Sequence, residues 1–198
     1  YCLETKCPEC KKKAPMLPSF WIRKGTKTVA KLITNTEGYT IDVISNASNK
    51  EMDSAKIGTV TTKGFSCPHC GKVTPISILR RDRKDESGNT LYGLRQWDKS
   101  DFDFKEDDIY HEVLYAILYE RKDGSRYFRA PNSHDLDNEI KVKHIIDSNI
   151  VQWQDTGLIP NLPIESGYNT DQVIRERGWT HWHHLFNARQ LLTNVIFQ

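Results

Sequence analysis

Apolar and polar residues alternate through the first half of the chain and give way to helical spacing in the second. Ser19–Arg23, Thr28–Thr34 and Tyr39–Ser45 are rich in aromatic and β-branched residues and predict three strands, with a turn at Thr36-Glu37-Gly38. Gly58–Phe65 predicts a further strand, and Pro75–Arg80 another. Between them, polar Asn46–Lys56 predicts a mobile loop, and charged Arg81–Asn89 predicts a turn. Val113–Glu120 and Tyr127–Arg129 flank Lys122-Asp123-Gly124-Ser125, whose central Asp-Gly signals a hairpin that adds to a small antiparallel sheet.

The period changes after Asn132. With Asn132 or Ser133 as N-cap, acids at Asp135, Asp137 and Glu139, and apolar Leu136, Ile140, Ile145 and Ile146, the chain reads as a helix to about Val151. A connector marked by Gly157, Pro160 and Pro163 follows, then a helix over Thr170–Arg177 stopped by Gly178. A last helix starts after Asn187, with Gln190 completing a capping-box pattern and Leu191, Leu192, Val195 and Ile196 as its apolar stripe. The fold class expected is α+β: a zinc ribbon with a small antiparallel β-sheet, followed by helices. The expected organisation is 1–80 as a zinc-ribbon β domain, 81–156 as hairpin plus helix, and 157–198 as connector and helical segment. No internal repeat is expected.

Composition adds bounds. The 198 residues are 37% hydrophobic and 27% charged, which suits a globular protein and excludes disordered and collagenous classes. No apolar run approaches membrane length, so no membrane partner is expected, and a cytoplasmic location follows from thiols that stay reduced. Net charge is only +2 but is unevenly spread: residues 1–33 hold eight Lys/Arg against two Glu, and 98–108 hold six acids against two lysines. The basic end suits a phosphate backbone as partner. The chain opens at Tyr1 and closes inside an apolar stretch, which predicts an excised piece of a longer protein.

The chemistry sits in two cysteine pairs, Cys7-Pro8-Glu9-Cys10 and Cys67-Pro68-His69-Cys70, each followed by a lysine and a proline. Thiols two residues apart on a tight turn point at one tetrahedral metal, and two such turns complete a structural zinc shell with no open position for catalysis. Disulfides, a thioredoxin-like redox pair or another soft metal are the alternatives. Cys2 is left over as a free or buried thiol.

The order of these cues resembles the zinc-ribbon-containing adenine-specific DNA methylases of prokaryotes. The matching pieces are Thr5-Lys6-Cys7-Pro8-Glu9-Cys10 with Pro15 and Trp21-Ile22, then Cys67-Pro68-His69-Cys70-Gly71 with Pro75, Gly157-Leu158-Ile159-Pro160, and the segment from Gly178 through Trp182, Leu185, Phe186, Arg189 and Gln190 to Leu192. The resemblance implies an insert lying between a glycine-rich S-adenosylmethionine loop and an Asp/Asn-Pro-Pro-aromatic catalytic motif. This chain has neither, since its eight prolines are never adjacent and no glycines form Gly-x-Gly. It is therefore expected to be non-catalytic alone, with DNA and the catalytic domain of the same parent chain as partners, and with S-adenosylmethionine bound only in the parent. The chain departs from the family at His183 and His184, where small and acidic residues are usual, and at Asn187-Ala188, where Thr-Pro is usual. His181, His183 and His184 read as packing or surface residues, without cysteine or acidic company for a metal.

On this resemblance the basic face to meet phosphates is Lys11, Lys12, Lys13, Lys24, Lys72, Arg80 and Arg81. Arg189 and Gln190 can read base edges, but a cap role for Gln190 and an acid partner for Arg189 fit better. A freestanding zinc-ribbon module for protein or RNA, and a purely structural insert, are the alternative functions.

Overall fold

Short strands, each closed by Pro, Gly or a charged turn, leave this chain with several small sheets rather than one large one. A computed structural model describes all residues from Tyr1 to Gln198. Its strands are β1 (Cys2–Lys6), β2 (Lys13–Met16), β3 (Trp21–Arg23), β4 (Thr28–Thr34), β5 (Tyr39–Ile44), β6 (Val60–Thr61), β7 (Gly64–Ser66), β8 (Val73–Thr74), β9 (Arg83–Lys84), β10 (Thr90–Leu91), β11 (Tyr110–Val113), β12 (Ile117–Glu120) and β13 (Arg126–Arg129). Its α-helices are α1 (Asn49–Ser54), α2 (Ile76–Leu79), α3 (Ser133–Asp155), α4 (Thr170–Arg177) and α5 (Ala188–Phe197). The protein is thus a mixed α/β structure of small antiparallel sheets and five helices. It divides into two compact units, Tyr1–Leu79 with Ile109–Asn132, and Arg80–Asp108 with Ser133–Gln198.

In the first unit three small sheets each take a distinct share of the chain. One has the order β11-β1-β2, so residues 109–132 belong here because Tyr110–Val113 pairs with β1. The second is β3-β4-β5, packed through Val29 with Ala47 and Ala55 against α1. The third is β6-β7-β8, in which Gly64 adopts φ +128 and a Cβ would run into the Thr74 carbonyl. The sheets are tied by buried polar contacts: Glu4 on β1 accepts from the Tyr39 hydroxyl at 2.8 Å and pairs with Lys13 at 2.9 Å. The β12–β13 hairpin forms at the Asp-Gly turn as expected, but as a two-stranded sheet of its own.

Three local expectations are corrected. Asn46–Lys56 holds helix α1, because Ser48 and Glu51 form a capping box that satisfies its first amides. Pro75–Arg80 is not a strand: Pro75 opens the one-turn helix α2, with the Leu79 amide donating to the Pro75 carbonyl at 3.0 Å. Arg81–Asn89 contributes β9 of a short hairpin with β10, closed by Asp85 accepting from the Asn89 amide.

The second unit buries one apolar cluster, Ile146, Ile150, Ile159, Ala188 and Leu191, between α3 and α5. Each such side chain contributes roughly 1.5–3 kcal/mol on burial. The expected stripe of α5 is used through Leu191, Leu192 and Val195, whereas Ile196 remains exposed. The Asn187/Gln190 capping box is present, and Gly178 ends α4 at φ 74, as the sequence predicts.

The acidic run 98–108 folds around Arg95, with Lys105 bridging Asp98 and Asp101 and Lys143 pairing with Asp103. Arg95 makes a bidentate pair with Asp108 at 2.8 and 2.9 Å and a second pair with buried Asp101. Burial pushes both carboxyls up, but the Arg95 guanidinium outweighs it and holds them below the usual carboxylate range. Asp101 also accepts from the Asp98 amide, and Asp108 from the Lys105 amide, so the charge is consumed in fixing a loop.

Beside this loop, His183 and His184 are buried and His184 lies 5.1 Å from the Trp97 ring. His184 Nε2 faces the Asp98 carbonyl and so carries the proton, while Nδ1 accepts from the Thr180 and His181 amides. A second proton would confront those N–H groups. Burial first, then the neighbouring His183 and His181, push His184 down from 6.5 to about 3. The unfolded chain takes up this proton near 6.5 and the folded unit does not, so the His184 contribution is complete above 6.5 and is lost as pH falls toward about 3. Amide-exchange protection of Ile150 and Leu191 is expected to drop between pH 7 and 5, and His184→Asn, which keeps the Nδ1-like acceptor, to flatten that dependence.

Candidate metal centre

The two Cys-x-x-Cys turns are built alike, hydrogen bond for hydrogen bond. In the first, between β1 and β2, the Lys11 amide donates to the Cys7 carbonyl and the Cys7 amide to the Lys12 carbonyl, both at 2.9 Å. In the second, between β7 and β8, the Gly71 amide donates to the Cys67 carbonyl and the Cys67 amide to the Lys72 carbonyl, also at 2.9 Å. The strand registers match too, with Lys6 opposite Lys13 and Ser66 opposite Val73. Written side by side, Cys7-Pro8-Glu9-Cys10-Lys11-Lys12 with Pro15 and Cys67-Pro68-His69-Cys70-Gly71-Lys72 with Pro75 keep a constant offset. The expectation of no internal repeat is therefore corrected: a short hairpin occurs twice, too short to stand out where intervening residues differ completely. Lys11 occupies at φ 62 the left-handed position that Gly71 fills at φ 71.

These hairpins converge four sulfurs. Sγ atoms of Cys7, Cys10, Cys67 and Cys70 all lie within 4.8 Å of one another. Across the two turns Cys7 and Cys70 are 3.8 Å apart and Cys10 and Cys67 3.7 Å. Four thiolates at the usual zinc–sulfur distance of about 2.3 Å define a tetrahedron with edges of about 3.8 Å, so the spacing fits a metal ion such as zinc. None of the five cysteines is in a disulfide, and Cys2, buried on β1, stands outside the cluster with its thiol pushed up to about 12 by burial.

The surroundings treat the sulfurs unequally. Burial raises the Cys7 thiol and pushes Cys67 up to about 12. Against this, the backbone amides of Glu9 and Cys10 donate to Cys7, and those of His69 and Cys70 to Cys67, which favours the thiolate. Cys10 sits lower, at about 7, because the Lys12 amide donates to its sulfur. The turns also brace each other: Glu9 pairs with Lys72 at 3.9 Å, and His69 Nε2 donates to the Lys13 carbonyl at 3.0 Å. Glu9 and His69 occupy equivalent positions, a pairing visible only once the repeat is aligned.

The other sequence candidates fall in different surroundings. Lys11 and Lys12 lie on the first turn and Lys72 on the second, with Lys13 spent on Glu4. Lys24 sits over the Trp21 ring at 3.9 Å. In the second unit, Arg80 pairs with Asp82 at 2.7 Å, Arg81 is exposed at φ 63, Arg189 pairs with Glu139, and Gln190 caps α5. The three histidine rings meet at tilted or edge-on angles, His184 alone packs on Trp97, and His183 and His184 donate to backbone carbonyls. Arg95, which organises the second unit, was not singled out in the sequence; its signal was a lone arginine just ahead of an acidic run.

Cys67→Ser is expected to remove the metal and cost the first unit at least ~5 kcal/mol, because binding energy at such a site is folding energy. Metal content by mass spectrometry and melting by circular dichroism check it. Full metal content with unchanged melting would show that Cys67 is not a ligand.

No protein family, curated protein or solved structure matches this chain.

Proposed function

We propose that the four cysteines hold a structural zinc ion, that the paired hairpins form a zinc ribbon, and that this unit contacts DNA within a larger adenine-specific, S-adenosylmethionine-dependent methyltransferase. The observation that carries the reading is the convergence of four sulfurs at tetrahedral spacing from turns that each present a lysine. A zinc ion with four thiolates bears a net charge of about −2, and part of the lysine charge offsets it. Lys12 has no acidic partner and Lys11 reaches only the Pro8 carbonyl, so neither is engaged by a carboxylate that would compete with a phosphate backbone. Lys13, Arg80 and Arg189 are engaged with Glu4, Asp82 and Glu139, which narrows the proposed contact to the turns.

In this reading the chain performs no methyl transfer. The metal fixes two turns, the turns place cations, and the parent's catalytic domain supplies the chemistry. Phosphate contacts of this kind position a duplex without reading its sequence.

The Lys11→Gln/Lys12→Gln variant should retain metal and melting behaviour while the slope of log affinity against log salt for a short DNA duplex falls by about 2. Fluorescence anisotropy across a salt series measures it. An unchanged slope and affinity would show that Lys11 and Lys12 do not contact the duplex, and no measurable duplex binding by the unsubstituted chain would favour an insert that braces its parent without touching DNA.

A further inference from the structure

In the first unit, the end of the β3–β4–β5 sheet and the β12–β13 hairpin enclose an open cleft of about 390 Å3. Three arginines line it, Arg23, Arg121 and Arg126. Hydroxyls of Thr26, Thr28 and Ser45 and the amide of Asn46 line it as well, and no carboxylate does. Arg126 is paired with Glu120 at 2.6 Å, which leaves Arg23 and Arg121 as the two cations of the cleft without an ion pair.

The cations are held in place before any ligand arrives. Arg121 lies over the Tyr127 ring at 4.1 Å, Tyr127 stacks on Tyr119 at 5.6 Å, and Arg129 covers Tyr119 at 4.4 Å. This stack, two phenol rings with a guanidinium over each outer face, spans the hairpin and holds Arg121 by a cation–π contact. Arg126 is oriented by Glu120 at 2.6 Å, and Arg121 also donates to the Ser125 hydroxyl at 3.2 Å. Arg23, across the cleft on β3, makes no ion pair and is exposed. The Thr26 and Thr28 hydroxyls hydrogen-bond each other at 2.8 Å, which sets a polar wall at the cleft edge.

Planar, donor-only forks with hydroxyls beside them match the oxygens of a phosphoryl group, which accepts several hydrogen bonds at once. We propose that this cleft binds phosphoryl anions, with the phosphodiester backbone of a nucleic acid as its ligand. A free polyphosphate has the same chemistry and is the other source to be tested. The inference is independent of the lysine-bearing turns, since none of its residues lies on them.

The test uses the whole metal-loaded chain, with a short fluorescent DNA duplex in one arm and inorganic pyrophosphate in the other. Arg23→Gln/Arg121→Gln should weaken duplex binding at least about tenfold and reduce the salt slope by about 2. Since Arg121 also supports the hairpin stack, Arg23→Gln alone serves as the second variant and should reduce the slope by about 1. Pyrophosphate should compete with the duplex and shift the side-chain Nε–H resonances of Arg23 and Arg121. Arginine-dependent pyrophosphate binding without duplex binding would sustain the anion cleft, assign it to free polyphosphate, and overturn DNA contact by this chain. Duplex binding that depends on Lys11 and Lys12 but not on Arg23 would overturn the cleft and leave the proposed function standing. Binding of neither probe would overturn both.

Discussion

Four cysteine sulfurs brought to tetrahedral spacing are the constraint on which the first unit depends. Its sheets are two or three strands wide, too small to be stable alone in water, and β6, β7 and β8 offer two or three residues each. What joins the β1–β2 hairpin to the β7–β8 hairpin is a shared centre, with His69 and Glu9 reaching across in opposite directions. Cys7, Cys67, Thr5 and Phe65 are almost fully buried around it, so the centre is also the middle of the local core. A metal bound at that point would convert two marginal hairpins into one body and let the long loop between them carry the β3–β4–β5 sheet.

The second unit solves its stability problem differently. There an apolar cluster between two helices is backed by the Arg95 ion cluster and by buried His183 and His184, the latter packed on Trp97. The ion cluster fixes a loop rich in acids that would otherwise repel each other. His183 and His184 each reach a backbone carbonyl through Nε2, and burial pushes both below the usual imidazole value, so they disfavour a second proton.

Much of this was legible in the sequence, and the failures have identifiable causes. The β4 strand and the α4 helix are found at the residues their patterns predict, because β-branched alternation and a Gly178 stop are strong local signals. The cysteine cluster was legible because Cys-x-x-Cys spacing is itself a geometric statement. Helix α1 was missed because its residues are polar apart from Met52, which leaves no helical apolar stripe, yet Ser48 and Glu51 spell its cap. Helix α2 was missed because Ile76, Ile78 and Leu79 look like strand residues, while Pro75 sets the turn that starts it. The return of residues 109–132 to the first unit was not legible, since β1 pairs with β11 across a hundred residues and no local pattern encodes a partner. The arginine cleft was hidden for the same reason: Arg23 and Arg121 are distant in sequence and meet only through the fold.

The lysines of the turns and the arginines of the cleft place basic residues at two separate places in the first unit. The most direct test of the central claim is X-ray absorption spectroscopy at the zinc edge on the purified, metal-loaded chain. The account predicts one zinc per chain in a shell of four sulfurs at about 2.3 Å, with no nitrogen or oxygen ligand. A shell containing water, histidine or fewer than four sulfurs, or a chain that folds with no bound metal, would contradict it.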